Sequence, residues 1–383
     1  MDAPRNKKPF AELFAGVTGA DIQEAIQKSG YPLQASVADA LRTKLAEHDQ
    51  QAAIQEEWAF VDPETQQARS IDIFADLPMY KFETEANRPK VLPYLTLLME
   101  CKQSELPYVF FLRGDSPGAG SVFPEISGIQ NESIRVFSKG DEYPPEFSYE
   151  MSIHDVLGAY DLDFLDSPTF YAISAAKAVR RGGSKLELTG EDAYRAITLP
   201  LLKAADHVRL LSAPKISDDA TLLRFIVCVA VVKAPMIGSF LHDGKSRLLS
   251  LPWVRSSRLE PITETSKKAR LTSIVRHYDI IHESFLPAYL DRLIPDMREI
   301  SKRVVNIGEV IVDGYGMAGD ADETYMDIEP LPSDRHQHLK GRPFGAIRRG
   351  SGGLGMQIEN AWPEDEIAHI DFGEYCDDPE DVD

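Results

Sequence analysis

The stretch Tyr94-Leu95-Thr96-Leu97-Leu98-Met99-Glu100-Cys101-Lys102 decides how this sequence is read. An apolar run of this kind reads as a buried strand. Glu100 and Lys102 nevertheless stand inside its end, one residue apart. An unpaired carboxylate or ammonium in such a place costs several kcal/mol, roughly, even after relaxation. Residues two apart on a strand share a face. Glu100 and Lys102 therefore go with Leu98, while Leu97, Met99 and Cys101 face the other way. Something on the first face must compensate the charges.

The sequence just upstream offers a partner. Glu57-Trp58-Ala59-Phe60-Val61 reads as a strand, Asp62-Pro63-Glu64-Thr65 as a turn, and 68–75 as the returning strand of a hairpin. Asp72 is the single acid in Ser70-Ile71-Asp72-Ile73-Phe74. Neighbouring strands that each carry one buried acid bring two carboxylates to one point. Two bare carboxylates repel and cannot both stay ionised. A hard divalent cation removes that objection, because magnesium and its kind take oxygen ligands. Lys102 beside it can orient a water or offset charge on a phosphate, and the set is equipment for metal-assisted phosphodiester hydrolysis. Gln103 and Ser104, next on the strand, are candidate phosphate contacts. Arg69, three residues before Asp72, is expected on the opposite side as a surface charge.

Working outward, the spacing predicts helices over 9–29 and 33–48, the second opened by Gly30 and Pro32. Residues 94–101 form the third strand, and 107–111 extend the sheet. Residues 114–165 read as irregular. A helix is expected from Ser167-Pro168 to Arg180-Arg181, ended by Gly182-Gly183, and another over 190–211. The β-branched run 224–232 is a strand, Ser239 to Lys245 a hairpin turn leading into 248–255, and 266–303 a helical zone. The whole is an α/β chain divided as 1–29 (N-terminal helical segment), 30–260 (α/β core), 261–312 (helical extension) and 313–383 (Gly/Asp-rich and acidic tail). Arg180, Arg181 and Lys185 are a modest basic patch that could meet a backbone phosphate or simply complement a helix C-terminus.

Asp72, followed after 27 intervening residues by Glu100-Cys101-Lys102 on the next strand and preceded by a helix, resembles the PD-(D/E)XK nuclease superfamily. The resemblance covers roughly 30–255 and implies a restriction-endonuclease-like core: helix, three strands, helix, strand. It implies that Asp72 and Glu100 bind Mg2+ or Mn2+ and that Lys102 is catalytic. A first-helix acid is common in such enzymes; the matching position here is Gln34, with Glu57 as a candidate substitute. Ile71 stands where the family motif has its proline. The implied activity is an endonuclease acting on DNA in preference to RNA, in a restriction or anti-phage setting. The alternative is a nuclease-fold module that binds or regulates without turnover.

The chain has 383 residues and a net charge of −20, which ordinarily disfavours nucleic acid. The charge is uneven. Residues 361–383 hold ten acids and no Lys or Arg, and Arg335 to Arg349 holds five Lys or Arg and no acid. The expectation for the tail is a solubilising end, with occupation of a basic groove as the sharper alternative. Three scattered cysteines without a CxxC pair, no charged-then-apolar leader, and an apolar maximum at Phe225–Val232 that ends at Lys233 lead to the expectation of a cytoplasmic protein without a membrane span. A homo-oligomer or a defence-system partner protein is compatible with this. His336 and His338, His277 and His282, and the glycine run after Arg349 lack the spacing of a metal or phosphate site.

Overall fold

The computed structural model of the chain describes residues 16–114, 123–131, 133–138, 148–159, 162–166, 171–183, 185–214, 220–261, 273–318, 328–331 and 346–347. The acidic tail, the glycine run, His336 and His338 lie outside the described residues, as does the Arg335–Arg349 block apart from 346–347.

The chain opens with α1 (Gly19–Lys28) and α2 (Tyr31–Glu47). Thr18 and Asp21 form a capping box that fixes the start of α1, so Val17 precedes the helix. Gly30, at φ 87°, turns the chain into α2, where Pro32 sits in the first turn. Next come β1 (Ala53–Val61), β2 (Ala68–Pro78), β3 (Val91–Gln103) and β4 (Tyr108–Arg113). The region expected to be irregular contains β5 (Glu125–Ser127), β6 (Ser133–Ser138), β7 (Ser148–Ser152), α3 (Ile153–Val156) and α4 (Asp163–Asp166). Then follow β8 (Tyr171–Arg180), β9 (Leu186–Thr189), α5 (Gly190–Ala193), a π-helical turn (Tyr194–Thr198) and α6 (Leu199–Leu211). The chain continues with β10 (Thr221–Lys233), β11 (Met236–His242), β12 (Lys245–Ser250), β13 (Trp253–Pro261) and β14 (Ser273–His282). It ends in α7 (Leu286–Asn306), α8 (Gly308–Asp313), β15 (Tyr315–Ala318), β16 (Ile328–Glu329) and β17 (Ala346–Ile347).

Two expected helices are corrected. Residues 171–180 form β8, paired with β4, β9 and β13. Residues 273–282, read as the start of a helical zone, form β14 between β10 and β13. The strand expected over 248–255 divides into β12 and β13.

The architecture is mixed α/β. A 12-stranded sheet runs β1-β2-β3-β10-β14-β13-β8-β4-β11-β12, with β5 on β10 and β9 on β8. A five-stranded sheet runs β16-β15-β6-β7-β17. Strands β1, β2 and β3 are antiparallel, and β10 returns parallel to β3 from Thr221 opposite Val91 to Lys233 opposite Gln103. A parallel return needs a crossover, and α6 lies on that crossover. β4 extends this sheet as expected, paired with β8 and β11.

Two apolar layers hold this sheet. On one face Leu33, Val37, Leu41 and Leu45 of α2 and Leu290, Leu293, Met297 and Ile300 of α7 pack with Leu97, Met99 and Val229. On the other, Leu201, Ala205 and Val208 of α6 pack with Leu98, Cys228 and Ala230. Each fully buried large aliphatic side chain contributes about 1.5–3 kcal/mol. Among the described residues, no helix is long and apolar enough to cross a membrane.

Candidate functional site

The regular alternation of the first hairpin fails at one level. Ile73 packs in the α2 layer, yet Ile71, two residues earlier, packs in the α6 layer. The same exchange occurs on β1, where Ile54 packs with the first layer and Phe60 with the second. Residues two apart on an undistorted strand would share a face. The exchange coincides with Glu57, a non-glycine residue at φ 52°, whose flanking residues pair with Ile71 and Ile73. Such a conformation is costly for a residue with a side chain, and in a strand it marks a local distortion.

Pairing between β2 and β3 stops at this same level, with Ile73 opposite Met99. Asp72 turns its carboxylate across the gap, and its Oδ2 accepts the Cys101 backbone N–H at 2.6 Å. Glu100 stands on β3 beside Ala230 of β10 and is 5% exposed. Its Oε1 accepts a hydrogen bond from Lys102 Nζ. Lys102 Nζ also lies 3.9 Å from Asp72 Oδ2. The three predicted groups are therefore brought together. Glu100 Oε2 is buried and has no hydrogen-bond partner.

The electrostatics follow from this geometry. Burial pushes the Glu100 carboxyl up to about 7, with the nearby Asp72 charge adding to the rise and the Lys102 ammonium opposing it. Burial works against the charge on Lys102, but the Glu100 and Asp72 carboxylates outweigh it and hold the amine above its ordinary value. Asp76, four residues further along β2, differs: Arg224 and Thr96 satisfy its carboxylate.

The remaining candidates separate. Gln34 lies in the first turn of α2, buried on the face that packs on the sheet, and no hydrogen bond joins it to Asp72, Glu100 or Lys102. Glu57 is exposed and contributes backbone geometry opposite Asp72. Gln103 reaches α1, donating to the Gln27 carbonyl at 3.3 Å. Ser104 Oγ accepts the Leu106 N–H at 3.2 Å in the turn that leaves β3. Arg69 is no free surface charge. It donates to Asp62 at 2.8 Å, and Asp62, fully buried in the hairpin turn, is held down at about 2 by Arg69 and the Glu64 N–H against the effect of burial. His277 and His282 sit on β14 and pair with Ser257 and Ser284.

Arg180, Arg181 and Lys185 belong to the β8–β9 hairpin, where Gly182 and Gly183 take positive φ, and not to a helix end. The helix-dipole explanation for them is thereby removed. The hairpin emerges at the same rim as the site. Ala178 donates to the Pro107 carbonyl at 2.9 Å, and Ser104 donates to the Lys233 carbonyl at 3.1 Å. Tyr108, which the sequence did not single out, starts β4 at this rim, and the Lys102 charge acts on its buried hydroxyl.

Among the described residues, no three histidine, cysteine or carboxylate side chains cluster as metal ligands. Two carboxylates do converge, one with an orphaned buried oxygen. That set fits a hard cation such as magnesium, which commonly takes one or two carboxylates and keeps water or substrate phosphate elsewhere. No family model, curated protein or solved structure matches the chain.

Proposed function

We propose that the chain is a magnesium- or manganese-dependent nuclease of the PD-(D/E)XK type, cutting DNA, with the restriction-endonuclease-like core formed by α2, β1, β2, β3, α6 and β10. The observation that carries the reading is Glu100 Oε2, buried and unpartnered beside Asp72 and Lys102 where β2 parts from β3. A buried carboxylate oxygen without a donor costs about 1–3 kcal/mol or more, and a bound cation removes that cost. The order of elements, with β10 parallel to β3, supports the same reading.

In this reading Asp72 and Glu100 hold the cation. When bound, it supplies Lewis-acid stabilisation of the charge that builds on the phosphate. Lys102, whose side chain is 28% exposed, places a cationic donor beside the non-bridging oxygens and orients the attacking water by hydrogen bonding. The Cys101 N–H fixes Asp72 so that its carboxylate does not swing away. The basic hairpin at Arg180, Arg181 and Lys185 and the adjacent Lys233 meet neighbouring phosphates. Restriction or anti-phage defence is the setting the family resemblance implies.

The test is cleavage of supercoiled plasmid and of single strands with magnesium, beside Asp72→Ala and Lys102→Ala. Equal activity in all three proteins overturns the assignment. A second reading, a nuclease-fold module that binds without turnover, is favoured by the absence of a three-ligand cluster among the described residues. Calorimetric titration with magnesium and manganese separates the two, since a site without metal affinity gives no heat that depends on Glu100.

A further inference from the structure

Asp62, Asp76, Glu125 and Asp279, all drawn wholly or largely out of water, are each held by an arginine: Arg69, Arg224, Arg276 and Arg255 in that order. Glu100 differs. Among the described residues its ion-pair partner is a lysine, Lys102. The two kinds of cation are not equivalent. An arginine presents a planar fork that grips a carboxylate in a fixed geometry, whereas a lysine is a compact, strongly hydrated point charge on a flexible stem. The first suits a permanent tie. The second suits a contact that is made and released.

The position of Lys102 sharpens the contrast. Its Nζ bonds Glu100 Oε1 and stands 3.9 Å from Asp72 Oδ2, so one ammonium is the counter-ion of both carboxylates. It is also the most open of the three groups: the Lys102, Asp72 and Glu100 side chains are 28%, 21% and 7% exposed. Lys102 is the penultimate residue of β3, so its stem stands at the open end of that strand. A small cation taken up by both carboxylates comes within a few ångströms of this ammonium. At such a range, away from bulk water, like charges repel strongly.

We propose that Lys102 is a place-holder. Without a divalent ion its ammonium neutralises Glu100 and Asp72; when the two carboxylates take up such an ion, the amine leaves Glu100 for the open rim. This exchange rests on the reading of the site as a cation centre, and it does not require that the site cut DNA. In a nuclease it imposes an order. The amine becomes available to a phosphate only after the carboxylates have found another cation, so Lys102 engages substrate in a loaded site and stays folded onto Glu100 in an unloaded one.

The test is calorimetric titration of the full chain with manganese, without nucleic acid, beside Lys102→Met, which keeps most of the stem and removes the charge. The expected result is an affinity about tenfold or more higher in Lys102→Met, as when a like charge is taken from beside a bound ion, and lost again when Glu100→Gln is added. Lys102→Arg keeps the charge and gains no affinity. A second measurement follows the amine itself, by brief acetylation and peptide mass spectrometry. Manganese raises modification of Lys102 several-fold and leaves Lys203, paired with Glu64 at 2.6 Å, unchanged. Thermal melting confirms that each variant is folded. No manganese heat in Lys102→Met, an affinity there no higher than in the wild-type protein, an equal gain in Lys102→Arg, or acetylation of Lys102 indifferent to manganese overturns the proposal. Tighter manganese binding in Lys102→Met without plasmid cleavage by the wild-type protein removes the nuclease and leaves the exchange; cleavage with acetylation indifferent to manganese does the reverse.

Discussion

Two buried charge clusters in this protein resemble each other in composition and differ in completion. Arg255 and Asp279, on adjacent strands β13 and β14, are 1% and 0% exposed. Their two hydrogen bonds measure 2.9 and 3.1 Å, the Tyr289 hydroxyl donates to Asp279 at 2.8 Å, and Arg255 donates to the Leu165 carbonyl at 2.9 Å. The Phe123 ring lies 3.5 Å from the guanidinium carbon. Each of these charges has protein partners. At Glu100, Lys102 and Asp72, by contrast, one carboxylate oxygen is left without a donor and two of the three side chains reach the surface. The first cluster joins strands; the second keeps an oxygen that the proposed cation would satisfy.

The largest effect expected from breaking this contrast is at the complete cluster. Asp279→Ala strands the Arg255 charge and should destabilise folding by about 3–5 kcal/mol, measured by denaturant titration, while Lys102→Ala should lower stability far less. A smaller loss at Asp279 would remove the contrast. At the incomplete cluster the loss should appear in activity: Lys102→Ala should slow magnesium-dependent cleavage about 10²–10³-fold, as when one preorganised electrostatic group is removed. The pH response sharpens the distinction. Glu100 has a folded value near 7, raised from 4.5, so the folded state binds its proton more tightly than the unfolded state does. Stability of the metal-free protein should therefore rise as pH falls from about 7 to 4.5, by roughly 3 kcal/mol at 1.36 kcal/mol per unit. Thermal melts of Glu100→Gln should lack that component. The smallest effect lies at the rim. Replacing Arg180, Arg181 and Lys185 by alanine should weaken DNA binding several-fold and flatten its dependence on salt by about 0.9 per lost phosphate contact.

The meeting of Asp72, Glu100 and Lys102 at the candidate site was legible because charge inside an apolar run is costly, and each of the three stands in one. α2 and β10 were legible for the complementary reason, that their apolar positions repeat without interruption, and β1, β2 and β3 were legible as apolar runs around those charges. β8 was not. Ala172, Ala175, Ala176 and Ala178 suit a helix by intrinsic preference, and only pairing with β4 and β9 makes the segment a strand. β14 was hidden by Arg276, His277 and Asp279, polar residues whose compensating partners Glu125, Ser257 and Arg255 lie far away in sequence. Arg69 was misplaced because its role depends on the buried Asp62 of its own hairpin. The distortion at Glu57 leaves no trace in residue type, since a glutamate in left-handed backbone is an exception that only three-dimensional context selects.

The position of β14 bears on how the chain is made. β10 is almost wholly enclosed, with β3 along one side and β5 and β14 in succession along the other. During synthesis both acids and the lysine leave the ribosome long before residue 273 does. Until then the Val229–Val232 end of β10 offers an open, apolar edge of the kind that invites pairing with another chain. A fragment ending near residue 260 would retain every proposed catalytic group and yet be prone to clump, so the smallest well-behaved fragment should extend at least through β14.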